Sequence, residues 1–560
     1  MVSTLEDVRS EVPQDSLRAL LKNRARDSWA ALDAAPGDRA VPGTLIVVGL
    51  AGLVALVAAV LSIRSGAGMA FGDAQAHLTI ARRVTDSLAP GFSQLGTVWL
   101  PIPQLLLLPL VQSTTLWHTG ISGAILGGVA LMGITSGVYR ISARLGIRRF
   151  GRLAAVMVIL TNSSLVYECT TAMTEPTLIM WLVASVAGLT RWTMSKRELS
   201  AGELMVFSGL PAAAALLSRY EGWALTFVGT LVVALVAWRR RRELKYAVKM
   251  ALAFALWPFI ALSWWLIYNF AVFGNPLEFA TGQYSASALQ VGLPNKGFLL
   301  YQGYGGLTIW TYAWALIQTV GILLIILGII GAFVLAWRRG LDNHVLMVWM
   351  LAVPSGFIIF AMYVGQTVMS NDHALPAALW NNRFALSALP FIGILIAYLC
   401  QSLAEKSILR RVGFSVVAAA IVLQAAWWVV DLDHSAVFAE ASASTAQKVD
   451  SGAQAAMRYL GANYDGGSIL IDESGGILPE IGIPLREYYN VSIGDLYTAA
   501  LADPAAHVRW VFMRGPTNGN GDGDRGDAIY AAVGRRASFL SNYAEVYKSG
   551  PFRIYRRIGN

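Results

Sequence analysis

The chain has 560 residues, 56% of them hydrophobic and 14% charged, with a mean hydropathy of +0.53. A soluble globular protein averages about 25% charged residues, so the composition excludes an ordinary soluble domain and fits a polytopic membrane protein. The net charge of +9 does not point to nucleic acid, because the basic residues are sorted by loop.

Residues 1–43 are polar and of mixed charge and form a cytoplasmic N-terminal segment. The apolar run from Thr44 lacks a small-residue cleavage pattern and reads as a signal-anchor. Runs long enough to span lie near 44–63, 119–139, 153–167, 175–192, 203–217, 222–238, 248–271, 309–337, 345–364, 385–402 and 413–431. A span takes about 20 residues, so these predict about eleven. Leu105 to Val111 is too short and follows two prolines, so it reads as a re-entrant or interfacial piece.

Basic residues then cluster on alternate loops. One side holds Arg140 to Arg152, Arg191 to Arg197, Arg239 to Lys249, and Arg338, Arg339, Lys406, Arg410 and Arg411. The other side, before residue 433, holds Arg64, Arg82, Arg83, Arg219, Lys296 and Arg383. The positive-inside rule puts the N-terminus in the cytoplasm, and an odd span count puts the C-terminus outside. Cys169 and Cys400 fall near opposite faces and predict no disulfide.

The expected fold is an α-helical polytopic protein: a transmembrane region over 44–432, with a first outer loop over 64–118. A small extracytoplasmic α/β domain over 433–560 follows. Ser444 to Leu460 reads as a helix. Strands are expected at 468–472, 508–513, 544–547 and 552–555, with helices near 494–503 and 526–539. Gly515 to Asp527 is a loop whose acidic spacing is like a calcium loop without its closing glutamate.

The first outer loop carries Gly72-Asp73-Ala-Gln-Ala-His77. On a helix, Asp73 and His77 share a face. Asp73 is a candidate catalytic carboxylate or a helix cap. His77 is a solvated interface histidine, a metal ligand or a partner that orients Asp73. Further ionisable residues fall at outer ends of spans: Glu168, Glu175, Arg219, Glu221, Arg383, Asp372 and His373, with Asn269 and Asn381 nearby. Charges at membrane depth usually face a cavity and mark function, so a polar cavity opening outward is the economical reading. Each has a plainer alternative. Glu175 suits a helix N-terminus, Arg219 and Glu221 suit a structural ion pair, and Arg383 suits a lipid headgroup as well as a bound phosphate.

Together the motifs resemble the GT-C superfamily of integral-membrane glycosyltransferases. They are most similar to the polyprenyl-phosphate-sugar-dependent branch that includes protein O-mannosyltransferases and the lipid A aminoarabinose transferase. The matching pieces, in order, are 72–77, Leu95-Gly-Thr-Val-Trp-Leu-Pro101, Thr174-Glu-Pro176, Ser218-Arg-Tyr-Glu-Gly-Trp223, 268–276 and Asn382-Arg-Phe-Ala-Leu-Ser-Ala-Leu-Pro390. The resemblance implies a polyprenyl-phosphate sugar donor and a first-loop acid, matched by Asp73, acting as base or metal-binding residue. Relatives often carry a second acid there; here Ala74 follows, and His77 is the next polar group. A divalent metal (Mg or Mn) at Asp73 and His77 is therefore an open expectation.

On this reading Asp73, His77 and Glu175 carry the chemistry, and Arg383 and Arg219 meet the donor phosphate. Trp99, Glu221, Asn269, Tyr284 and Asn382 are the candidate substrate contacts. The acceptor would be the hydroxyl of a cell-wall glycan, a lipid or a protein. The remaining partners are membrane lipids, and no nucleic acid is expected. The setting would be the extracytoplasmic face of a bacterial plasma membrane, and a single displacement would invert the anomeric carbon. A transporter or lipid flippase is the rival reading, and a structural membrane component a second. No internal repeat favours transport, and the polar residues gather at one face rather than the midplane.

Overall fold

Apolar runs separated by short polar turns become helices that shuttle between two ends of one bundle. The computed structural model describes residues 26–283, 285–374, 378–405, 407–472, 479–516 and 526–559. Among these, nine helices are long and apolar enough to cross a membrane. They are α1 (Thr44–Ser65), α3 (Ile121–Arg144), α6 (Glu175–Met194), α8 (Glu221–Arg241), α9 (Leu244–Phe273), α11 (Ile322–Arg339), α12 (Asn343–Tyr363), α13 (Asn382–Ala404) and α14, whose spanning part is Arg410–Val430. The short helix α2 (Gly72–Arg83) lies between α1 and α3.

Two of the expected spans take shorter forms and are not among the nine. One is α4 (Arg149–Leu160) followed by α5 (Ser163–Glu168). It starts with the Arg149 amide on Asp33 and ends at Glu168. The break falls at Asn162, whose side chain caps α5 through the Leu165 amide and donates to Thr319 O. The other is α7 (Ala201–Leu216), which begins at a Ser200/Glu203 capping box and ends at the Arg219 turn. The run read as one span over 309–337 is two helices, α10 (Gly305–Val320) and α11. Gly321, at φ 97°, adopts a backbone that other residues rarely take and separates them.

Two close approaches fix the end of the bundle that carries the candidate site. A Cβ on Gly127 of α3 would stand 2.0 Å from Cys169 O, and one on Gly123 would stand 2.5 Å from Ala172 N. Only glycine lets α3 press against the loop that joins Glu168 to Glu175. The Arg219 turn is equally tight: a Cβ on Gly222 would lie 2.3 Å from Ala215 O.

Beyond α14 the chain becomes water-soluble in composition, as expected. It forms α15 (Ala436–Asp450), a further helix Ala453–Asn463 and a five-stranded sheet. The single helix expected over 444–460 is broken at Gly452, at φ 80°. Strands β1 (Ile469–Ile471), β2 (Tyr488–Tyr489), β3 (Trp510–Arg514), β4 (Tyr543–Ser549) and β5 (Phe552–Arg557) lie in the order β2-β1-β3-β5-β4. The β2-β1-β3 pairs are parallel, and β3-β5-β4 are antiparallel. The short strand β2 was not expected, and most of the loop compared with a calcium loop lies outside the described residues.

This C-terminal region is docked on the first loop. Asp86 accepts the amides of Leu485 and Arg486, each at 3.3 Å, and Gln94 donates to Ser492 O at 3.1 Å. Leu88 and Ala89 pack against the apolar core behind the sheet. Ser164 meets Ser435 at 2.7 Å, and Tyr167 meets Phe438 edge-on. Buried apolar contact and satisfied amides together hold α15 against the helical bundle.

Candidate active site

The site is built around one guanidinium. Asn381 adopts a left-handed φ of 59°, which asparagine tolerates better than most residues. The following 3-10 turn, Asn382–Ala388, carries Arg383 into the interior. There Arg383 divides its donors among three carboxylates. Nε donates to Glu175 at 3.0 Å, Nη1 to Glu440 at 2.6 Å, and Nη2 to Asp73 at 2.7 Å. Phe71 and Phe384 lie against its guanidinium at 5.4 and 5.2 Å.

Arg219 forms the second half. Nε donates to Glu221 at 3.1 Å, and Nη1 to Thr174 and Glu175 at 3.0 Å. Glu175 Oε1 thus bridges the two arginines, which Phe384 also contacts from between them, 4.5 Å from Arg219. Burial alone would lower the Arg219 pKa, but Glu175 and Glu221 more than offset it and hold the guanidinium charged. Burial raises the Glu440 carboxyl above its usual range against the pull of Arg383. Glu168, fully buried close by, has neither oxygen partnered among the described residues.

Exposure separates these acids. The side chains of Glu175, Glu221 and Glu440 are 4%, 6% and 9% exposed, whereas Asp73 is 47% exposed. Asp73 is therefore the carboxylate of this cluster that solvent reaches while Arg383 still grips it. Phe71, not Asp73, is the N-cap of α2, and no side chain caps that end. Asp73 sits in the first turn, where the helix dipole favours a negative charge.

His77, one turn further along α2, is buried. Its Nδ1 meets Gln104 Nε2 at 2.8 Å, and its ring lies 4.5 Å from the half-buried Trp99 ring. Desolvation pulls its pKa down to about 4, so it is neutral at ordinary pH. A divalent cation wants several oxygen or nitrogen ligands. Among the described residues no group of three or more His, Cys, Asp or Glu is arranged to hold one. One Asp73 oxygen is taken by Arg383 and His77 Nδ1 by Gln104, so this donor set does not fit the metal expected from the sequence.

The other sequence candidates divide. Glu221 joins the cluster through Arg219. Asn269 is fully buried, accepts from Thr97 and donates to Trp265 O, so it ties α9 to the first loop. Asn382 is fully buried and donates to Ser370 O at 2.7 Å. Asp372 and His373 belong to the neighbouring loop, where His373 stacks on Trp314. Tyr284 lies outside the described residues.

Sequence reasoning missed Glu440. It is the one charged residue between His434 and Lys448, in a stretch otherwise made mostly of small and apolar side chains. That isolation was the available signal.

Residues 124–287 match the family described as Dolichyl-phosphate-mannose-protein mannosyltransferase. This stretch holds Glu175, Arg219 and Glu221, while Asp73, Arg383 and Glu440 lie outside it. Among solved structures the chain is similar to ArnT from Cupriavidus metallidurans in the apo state, at 14% identity and a TM-score of 0.53, covering 91% of this chain and 98% of that one. The same enzyme bound to undecaprenyl phosphate gives 13% identity and a TM-score of 0.54, covering 92% and 98%. A more distant likeness is to an oligosaccharyltransferase from Archaeoglobus fulgidus, at 12% identity and a TM-score of 0.45, covering 83% and 67%. No curated protein matches significantly in sequence. Fold and family match point the same way: the chain shares the fold of ArnT, residues 124–287 match the mannosyltransferase family, and nine helices among the described residues are long and apolar enough to cross a membrane.

Proposed function

We propose that the chain transfers a sugar from a polyprenyl-phosphate donor to an acceptor hydroxyl at the end of the bundle that carries Asp73. The N-terminus would be cytoplasmic and the site extracytoplasmic, in a bacterial plasma membrane. The orientation follows from the sorting of basic residues. The donor class follows from the resemblance and from the undecaprenyl phosphate bound by a protein of the same fold.

Asp73 carries the chemistry in this reading. The supporting observation is its exposed carboxylate, anchored at one oxygen by a buried arginine. The acceptor oxygen forms a bond to the anomeric carbon as its proton passes to Asp73. The bond from that carbon to the phosphate oxygen breaks, and polyprenyl phosphate leaves with the electron pair. One displacement inverts the anomeric carbon. Arg383 orients Asp73 through the bond from Nη2. Arg219 and Arg383 offset the charge that grows on the departing phosphate. Glu175 and Glu440 hold Arg383 in place, and neutral His77 with Trp99 forms a wall beside the base.

The test is transfer by purified protein from radiolabelled polyprenyl-phosphate sugars, without nucleotide. Asp73→Asn should cut turnover by about 10²–10⁴-fold and leave donor binding intact. Near-wild-type turnover by that variant would remove Asp73 as the base. If wild-type protein transfers no sugar from any such donor, the donor class is wrong.

A further inference from the structure

The far end of the bundle holds a cavity that the proposed chemistry does not use. Its volume is about 340 Å³, within the range of small-molecule sites. Arg144 ends α3, Arg338 and Arg339 end α11, His344 begins α12, and Tyr398 and Glu405 come from the end of α13. Six side chains from four chain segments thus converge where spanning helices stop. That is the level of lipid headgroups rather than acyl chains.

The lining is unbalanced in charge. Three guanidiniums face one lining carboxylate, Glu405, which pairs with Arg338 and is 53% exposed. Arg339 donates to the Tyr398 hydroxyl at 3.2 Å and lies 3.7 Å from Asp342. Among the described residues Arg144 hydrogen-bonds only to backbone carbonyls, Gly37 O and Asp38 O, at 3.3 Å. The positive charge is thus partly uncompensated. Next to it the surface is strongly apolar: Trp337 is 91% exposed and Leu341 78% exposed. An exposed tryptophan beside arginines at a helix end suits the membrane–water boundary.

We infer that this cavity binds the phosphate headgroup of an anionic phospholipid. Basic pockets between spanning helices on one face recognise such headgroups. Arginine supplies planar donors to phosphate oxygens. Trp337 and Leu341 give the acyl chains a neighbouring apolar surface, which a free phosphate would not need. The site is separate from the donor site and does not depend on the sugar-transfer reading.

The probe is phosphatidylglycerol against phosphatidylcholine, doped equally into micelles of the full-length protein. Retained lipid is counted by native mass spectrometry. Wild-type protein should retain phosphatidylglycerol preferentially. The double variant Arg338→Gln/Arg339→Gln should lose about fivefold in affinity per arginine. Glu405→Gln, which removes the opposing carboxylate, should instead tighten binding several-fold, so a folding defect in the arginine variant leaves an independent reading. Equal retention of the two lipids overturns the inference. So does an undiminished preference in the double variant, which would put the headgroup elsewhere, or weaker binding by Glu405→Gln. Displacement of phosphatidylglycerol by inorganic phosphate at the same concentration would overturn the lipid as the occupant.

Discussion

The two ends of the bundle use arginine in opposite ways. At the site end Arg383 is buried and Arg219 mostly so, and carboxylates outnumber them. At the far end Arg338 and Arg339 are partly exposed and outnumber the carboxylates that line the cavity with them. Burial makes the first arrangement expensive to break, because a lone buried charge has no water to turn to. Exposure makes the second loose, and leaves positive charge free for an outside anion. The same residue type is an internal clamp in one place and a receptor surface in the other. What decides is the number of acids within reach and the access of water.

The sharpest way to break this contrast is Arg383→Gln. It strips three carboxylates of their shared cation at once. We expect a loss of about 3–5 kcal/mol of stability, as for other buried pairs cut on one side, together with loss of sugar transfer. Thermal unfolding in detergent and the radiolabel assay read the two effects. A destabilisation as small as that of an exposed pair would mean that the clamp is not buried in the energetic sense.

The next effect is pH-dependent and belongs to His77. Its pKa is about 4 in the folded protein against 6.5 in a free side chain. Between those values the unfolded chain binds the proton and the folded one refuses it. The stability that neutral His77 leaves intact is therefore fully present above pH 6.5 and is lost as pH falls towards 4. The loss totals about 3 kcal/mol. His77→Gln should flatten the stability profile in that window and keep the contact with Gln104. An unchanged acid limb in the variant would show that His77 is solvated.

A smaller effect is expected for Glu440→Gln. The amide keeps an oxygen for Arg383 and for the Asn381 amide but loses the charge. A charge-assisted hydrogen bond is worth about 1.5–3 kcal/mol, so stability should fall within that range. Because Arg383 also holds Asp73, the pH profile of turnover should shift along with it. A fall in stability with an unmoved pH profile would reduce Glu440 to a docking contact of the C-terminal region.

How much of this was readable from the sequence depended on background. Asp73, Glu175, Arg219 and Arg383 stood out because ionisable groups are rare beside spans, and the structure brings all four together. Glu440 grips the same arginine but lies beyond the last span, where its isolation among uncharged neighbours was a weaker signal than a charge beside a membrane. Its place depends on the docking of α15, a tertiary fact. The interruptions at Asn162 and Gly321 were invisible for the opposite reason: hydropathy runs on through a single glycine or asparagine, while the backbone does not. Asn269 and Asn382 were read as substrate contacts from position alone. Their buried bonds to Trp265 O and Ser370 O required the fold.

The smallest expected effect, Glu405→Gln at the far end, tests the contrast most economically. Glu405 and Arg338 are 53% and 32% exposed. An exposed pair contributes about 0–1 kcal/mol, so unfolding should scarcely move, in contrast to Glu440→Gln, the same chemical change at the buried end. Anion binding should respond in the other direction, since removing the carboxylate frees Arg338 for an outside phosphate. Two glutamate-to-glutamine changes at opposite ends would thus separate the roles. At the site end the acid stabilises the arginine it holds, and at the far end it competes with the ligand that the arginine awaits. A large loss of stability from Glu405→Gln would make the far cluster a second internal clamp.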